Sequence, residues 1–406
     1  MSYRPEDVGL SSERLARVER HLGEHYVGPG KIAGCLCWVA RRGEVVQRTA
    51  LGSRDLARGL PMTDDTLFRV YSMTKPVASV ALMTLFEEGR FSLSDPVHRF
   101  LPAFRELGVY VQGRYPAFQT RPAERAMTVH DLLTHQSGLT YGFMQRTNVD
   151  AAYRRLGIGE RKPGATLADM VDTVATLPLE FSPGTAWNYS VSTDVVGRLV
   201  EVISGLSLDR FLRERIFAPL GMQDTGFEVP AAERGRFAAC YTRGPGKRLA
   251  LEDDPEQSPY TRDVTLFSGG GGLVSTAHDY LRFCEMLRRG GALGGARILS
   301  RKTIELMTAN HLPGGQDLTQ RAIGAFAETK YEGQGFGLGF SVVLDRARAA
   351  TTASAGSYGW GGAASTIFWI DPAEELVVIF LTQLIPSRTF DFRGQLQAIV
   401  YGALLD

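Results

Sequence analysis

The chain has 406 residues, long enough to bury a large core without disulfide or metal staples. Its apolar fraction of 44% and charged fraction of 22% are those of an ordinary globular protein, which excludes disordered, collagen-like and membrane-embedded chains. With 45 basic against 44 acidic residues the formal net charge is +1, so the basic excess of a nucleic-acid binder is missing.

The first residues, MSYRPEDVGLSSERL, contain no apolar core region and no small-residue cleavage site. No run of about 18 apolar residues follows anywhere. The expectation is a cytoplasmic protein that makes no use of a membrane. Ser11 and Ser12 before Glu13 predict a helix start, and Leu15, Val18 and Leu22 supply its apolar stripe until Gly28 to Gly30 end it. His21-Leu22-Gly23-Glu24-His25 spells an H-x-x-E-H zinc pattern, but Gly23 sits inside it and no third ligand follows, so these read as solvated helix residues and no metal is expected.

Ala33–Ala40 and Val45–Leu51 predict strands joined by a turn at Arg41 to Glu44. Cys35 and Cys37 point to one side of the first strand. With Cys240 and Cys284 they form neither a CxxC pair nor a zinc spacing, and read as reduced core thiols. From Ser72 to about Glu88 the pattern is helical. The middle, roughly 95 to 330, reads as short helices between long loops, with helices at 128–135, 167–177, 192–203, 208–217, 276–289 and 301–309. The polar stretch 243–263 reads as a surface excursion.

The end turns β-rich. Phe336 to Leu344 alternates large and small and predicts one strand. Thr366–Ile370 and Leu376–Thr382 flank Asp371-Pro372 as a hairpin, and Thr389–Leu404 predicts a final helix. A lone hairpin is marginal in water, so the terminal hairpins are expected to share one antiparallel sheet. The fold class is therefore α+β. Residues 1–70 and 332–406 form a discontinuous sheet domain, and 71–331 form an inserted, mostly helical domain, with the active site in the cleft between them.

Three stretches can carry chemistry. In Ser72-Met73-Thr74-Lys75, residues three apart on a helix share a face, so the Lys75 amine reaches the Ser72 hydroxyl. A helix start offers free N–H groups and partial positive charge to an oxyanion, and a buried lysine can act as base for a serine nucleophile. Taken alone, S-x-x-K reads first as a capping Ser72 with a surface Lys75; the apolar residues on both sides, in Leu67 to Tyr71 and Val77 to Ala81, point instead to a buried lysine with a role. Tyr189 stands on a loop after the turn Pro183-Gly184, where a phenol beside a cation can carry a proton. Around Trp360, the glycines of Gly356 to Ala363 let a backbone N–H approach a ligand.

Together these resemble the class C branch of the serine β-lactamase and penicillin-binding-protein superfamily, for which S-x-x-K is a signature. Leu132 to Leu139 and Gly269 to Gly272 look like it too, and the likeness runs through nearly the whole chain in order. The closest resemblance is to the β-lactamase-like carboxylesterases called family VIII. It implies a sheet domain built from both chain ends plus a helical domain. It also implies Ser72 as nucleophile, Lys75 as general base and Tyr189 as proton shuttle, with the backbone N–H groups of Ser72 and Ala363 as oxyanion donors. Val191 replaces the asparagine of the β-lactamase Tyr-x-Asn motif, and Trp360-Gly361-Gly362 replaces the Lys-Thr-Gly box. The box lysine would meet a substrate carboxylate, whereas Trp360 offers apolar surface to the substrate.

The resemblance therefore implies a serine carboxylesterase for small, mostly neutral esters, with a small-molecule ester as its partner and no cofactor. A β-lactamase or D,D-peptidase, an acyltransferase, and a catalytically silent binding protein are the other readings. G-x-S-x-G is missing, so an α/β-hydrolase elbow is unsupported. His135 and Ser137 read as structural, and Gly269 to Gly272 as a tight turn before a helix capped by Ser275 or Thr276, not as a phosphate loop.

Overall fold

The computed structural model describes residues 3–324 and 331–406. Its main sheet is antiparallel throughout and has eight strands: β1 (Gly34–Arg41), β2 (Glu44–Asp55), β3 (Leu60–Pro61), β4 (Gln334–Phe336), β5 (Ser341–Val343), β6 (Tyr358–Gly362), β7 (Thr366–Asp371) and β8 (Leu376–Thr382). The spatial order is β4-β5-β6-β7-β8-β1-β2-β3. β1 and β8 are buried along their whole length, and these near-continuous apolar runs take the middle of the sheet, covered on both faces. Their pairing, Cys37 opposite Phe380 and Trp38 opposite Ile379, joins the two ends of the chain.

Six helices pack on the sheet or build the site: α1 (Arg17–Leu22), α2 (Thr74–Glu87), α3 (Val129–Leu133), α4 (Ser192–Ser204), α5 (Ala277–Arg288) and α6 (Phe392–Tyr401). Strand alternation sorts the two faces of the sheet. Cys35, Cys37, Val378 and Phe380 pack under Val18 and Leu22 of α1 and Phe392, Leu396 and Val400 of α6. Leu36, Trp38, Phe368 and Ile379 face the larger core, where Tyr280 of α5 meets Phe368 at 5.1 Å between ring centroids. All four cysteines are free and buried. Every strand of the main sheet comes from residues 34–61 and 334–382, and α5 packs on it from the segment between. Among the described residues no helix is long and apolar enough to cross a membrane.

Four expectations are corrected. Phe336 to Leu344 is not one strand but the hairpin β4–β5, with Phe336 opposite Ser341. Gly339 takes φ +98 at the turn, a conformation the alternation pattern does not reveal. The stretch 243–263 is not a mere excursion, because Leu249–Asp253 is a strand paired with Cys240–Arg243. Residues 95 to 128 hold an unforeseen hairpin, Val109–Arg114 with Ala117–Arg121. The final helix starts at Phe392 rather than Thr389, because Asp391 caps it by accepting from the Gly394 N–H at 2.9 Å.

The stretch 243–263 also anchors the segment ahead of Ser72. Arg69 is fully buried. Its guanidinium pairs with Asp253 at 2.6 Å, donates to the Ala238 carbonyl at 2.5 Å and to Ser258 Oγ at 3.1 Å, and lies 3.9 Å from the Phe237 ring centroid. Removing one partner of a buried ion pair leaves the other charge uncompensated. Arg69→Met is expected to lower unfolding stability by about 3–5 kcal/mol, as measured by urea denaturation.

Candidate active site

Ser72 lies in a single 3-10 turn, Tyr71–Met73, that leads directly into α2. α2 is apolar nearly all round and buried from Thr74 to Leu85, so it is a core helix, and what it carries at its start is held inside the protein. Tyr71 takes φ +42, a rare conformation for an aromatic residue, immediately before Ser72. Two bonds hold the strained turn: Tyr280 OH donates to the Met73 carbonyl at 2.8 Å, and Leu273 N–H donates to Thr74 Oγ1 at 3.0 Å.

Ser72 Oγ accepts from Lys75 Nζ at 3.1 Å and from Tyr189 OH at 2.6 Å. Lys75 and Tyr189 are each 1% exposed and Ser72 9%. Lys75 Nζ also donates to the Gly270 carbonyl at 2.6 Å and sits 4.5 Å from the Tyr189 ring centroid. A hydroxyl between an amine and a phenol, shielded from bulk water, can pass its proton to either as it attacks a carbonyl.

The Tyr189 loop rests on the turn that follows α3. Asn188 N–H donates to the His135 carbonyl at 2.9 Å and Asn188 Nδ2 to the Leu139 carbonyl at 2.9 Å. The His135 ring packs 5.0 Å from the Tyr189 ring, and its Nδ1 pairs with Ser190 Oγ at 3.2 Å. Ser137 Oγ pairs instead with Ser192 Oγ at 2.7 Å, so His135 and Ser137 are not a catalytic couple. Burial, and then the nearby Lys75 charge, hold His135 well below the usual histidine range.

Gly269 to Gly272 is a turn before Val274–Ser275 and α5, and Thr276 Oγ1 caps α5 by accepting from the Asp279 N–H at 3.2 Å. It is also a wall of the site. Its successive carbonyls each accept from a different distant side chain: Gly270 from Lys75 at 2.6 Å, Gly271 from Tyr260 OH at 3.3 Å, and Gly272 from Arg161 Nη2 at 2.8 Å. Asp194, in the first turn of α4, accepts from the Gly270 N–H at 3.1 Å and from Ser268 Oγ at 2.5 Å. Burial raises the Asp194 carboxyl, against the lowering by the Ser268 bond and the Lys75 charge.

The opposite wall is the end of β6. A Cβ on Gly362 would lie 2.4 Å from the Val70 carbonyl oxygen, so only glycine lets this strand approach the Ser72 turn. Ala363 and Ser72 line one cavity of about 800 Å³, and among the described residues no hydrogen bond takes up either backbone N–H. Trp360 is placed differently from the expectation. Its indole is buried and does not line the cavity, nor do Gly361 and Gly362. Trp360 stands behind Tyr189, with Nε1 3.4 Å from the phenol oxygen and the rings 5.5 Å apart. β alternation turns it inward, towards the phenol rather than the substrate space.

A Beta-lactamase family profile matches residues 15–401. The chain belongs to the beta-lactamase family. It is similar to Protein Rv1367c of Mycobacterium tuberculosis, 38% identical over 89% of this chain and 88% of that one. It is also similar to Esterase EstB of Burkholderia gladioli, 33% identical over 94% of this chain and 93% of that one. Among solved structures it is similar to EstCE1, described as a hydrolase with promiscuous acyltransferase activity, with TM-score 0.80, 27% identity, and coverage of 96% of this chain and 99% of that one.

Beyond the residues singled out in the sequence, this beta-lactamase-family site contains Tyr71, Asp194 and Tyr260, and it engages Arg161. Only proximity in the fold reveals them, since none belongs to a short motif. Among the described residues no group of three His, Cys, Asp or Glu is placed to hold a metal ion.

Burial holds His130 and His135 below the ordinary histidine value of about 6.5. Unfolding releases both to titrate normally. The unfolded state then binds more protons as pH falls through about 6.5, so the stability these residues allow is present above that pH and lost below it. The melting temperature is expected to fall between about pH 7.5 and 5.5, and His135→Gln is expected to flatten that dependence in scanning calorimetry.

Proposed function

We propose that the chain is a serine carboxylesterase that cleaves small, mostly neutral esters through an acyl-enzyme on Ser72. The observation that carries this reading is the double hydrogen bond to Ser72 Oγ, from Lys75 at 3.1 Å and Tyr189 at 2.6 Å. Ser72 and Lys75 act as the S-x-x-K pair of a family VIII-type esterase. Ser72 Oγ attacks the ester carbonyl as its one proton passes to the Lys75 amine, which returns it through Tyr189. The Ser72 and Ala363 backbone N–H groups receive the oxyanion. Tyr189 protonates the departing alcohol, and water then cleaves the acyl-enzyme through the same relay. Trp360 backs the phenol and holds its orientation. The likeness to Esterase EstB over nearly the full chain supports an ester substrate.

An acyltransferase is the second reading, favoured by the description of EstCE1 and by a cavity of about 800 Å³, which has room for an alcohol acceptor beside the acyl group. Both activities share the acyl-enzyme and differ in whether water or an alcohol takes the acyl group.

Ser72→Ala is expected to abolish hydrolysis of p-nitrophenyl butyrate and labelling by a fluorophosphonate probe, with the circular dichroism spectrum unchanged. Full activity in that variant would refute Ser72 as nucleophile. Lys75→Ala is expected to be nearly as damaging, and Tyr189→Phe to lose at least about a hundredfold in kcat. Nitrocefin, run beside the ester, separates a β-lactamase from an esterase: faster cleavage of the lactam overturns the ester assignment.

A further inference from the structure

The charged side chains lining the cavity over Ser72 are Glu160, Arg161, Asp194, Asp253 and Arg388. The three acids are all engaged. Glu160 lies 3.3 Å from Lys162 Nζ, Asp253 pairs with buried Arg69 at 2.6 Å, and Asp194 accepts from Ser268 and Gly270. Neither arginine has a carboxylate partner among the described residues. The wall therefore holds two guanidinium groups without an ion-pair partner among those residues, while the charge nearest Asp194 is that of Lys75.

Arg161 is held as a recognition group would be. Its guanidinium lies 3.8 Å from the Tyr260 ring centroid, and Nη2 donates to the Gly272 carbonyl at 2.8 Å. A guanidinium stays charged at any working pH, and this one lines the cavity without an ion-pair partner among the described residues, so the arrangement favours a ligand that brings an anionic oxygen. Arg161 holds the same glycine turn whose Gly270 carbonyl receives Lys75, which places the cation beside the reacting centre. Arg388 is exposed at the rim of the same cavity.

We propose that Arg161, with Arg388 at the rim, forms an anion subsite that takes a carboxylate at the far end of the ester substrate. This rests on the esterase reading and changes its substrate class: the ester that reacts at Ser72 belongs to a molecule whose distal end is anionic, not to a mostly neutral one. The preferred substrates are then half-esters of dicarboxylic acids or esters of similar charge.

The test compares kcat/KM for the p-nitrophenyl half-ester of glutaric acid with that for the corresponding neutral amide, in the wild type, Arg161→Met and Arg388→Ala. The wild type is expected to favour the carboxylate. Arg161→Met is expected to reduce that preference at least about tenfold, the scale of one charge-assisted hydrogen bond, and Arg388→Ala by a smaller factor. Free glutarate is expected to inhibit the wild type competitively and Arg161→Met far less. Arg388 is exposed, so its removal leaves a folded variant even if Arg161→Met does not fold. An enzyme labelled at Ser72 by fluorophosphonate, but indifferent to the carboxylate in wild type and variants, overturns the subsite alone. Loss of both turnover and labelling in the wild type overturns the esterase reading beneath it.

Discussion

One serine oxygen sits between a buried amine and a buried phenol, and the rest of the architecture serves to keep those three groups in contact and dry. Lys75 is 1% exposed, and an ammonium or amine at that depth needs polar partners. It has them in Ser72 Oγ and the Gly270 carbonyl. The Gly270 peptide is in turn tied by Asp194 at the start of α4, the helix that follows Tyr189. The amine, the phenol and the glycine turn thus form one cooperative network, in which a loose member would loosen the others.

The strain at Tyr71 belongs to the same design. A residue at φ +42 persists only where its surroundings over-determine it, and here Tyr280, Leu273 and the approach of β6 through Gly362 do so. Arg69, two residues upstream, extends the anchorage through its buried pair with Asp253. The contacts that stabilise this segment also place Ser72, so substitutions behind it act on both the fold and the position of its hydroxyl.

The two walls of the cavity differ in chemistry. The β6 wall presents backbone near Ala363, with Trp360 turned inward onto Tyr189. The opposite wall presents Tyr260 and a guanidinium held on the glycine turn. An aromatic residue expected to touch substrate packs on Tyr189 instead, and a charged side chain held on the glycine turn, Arg161, is one that no motif in the sequence singles out.

Much was legible from the residues alone. The paired terminal hairpins follow from unbroken apolar runs such as Leu376–Thr382, which can only be satisfied in the interior of a sheet. The reach of Lys75 to Ser72 follows from helical spacing, a local property. The hairpin at Phe336 to Val343 was not legible, because a glycine at positive φ and an ordinary strand glycine are the same letter. The meeting of Tyr189 with Ser72 across 117 positions, the inward turn of Trp360, and the gathering of Asp194, Tyr260 and Arg161 around Gly269 to Gly272 were decided only by tertiary packing. Periodicity and spacing encode what neighbours along the chain can do together. Which distant side chains share a dry pocket depends on how whole elements stack, and no window of sequence contains that.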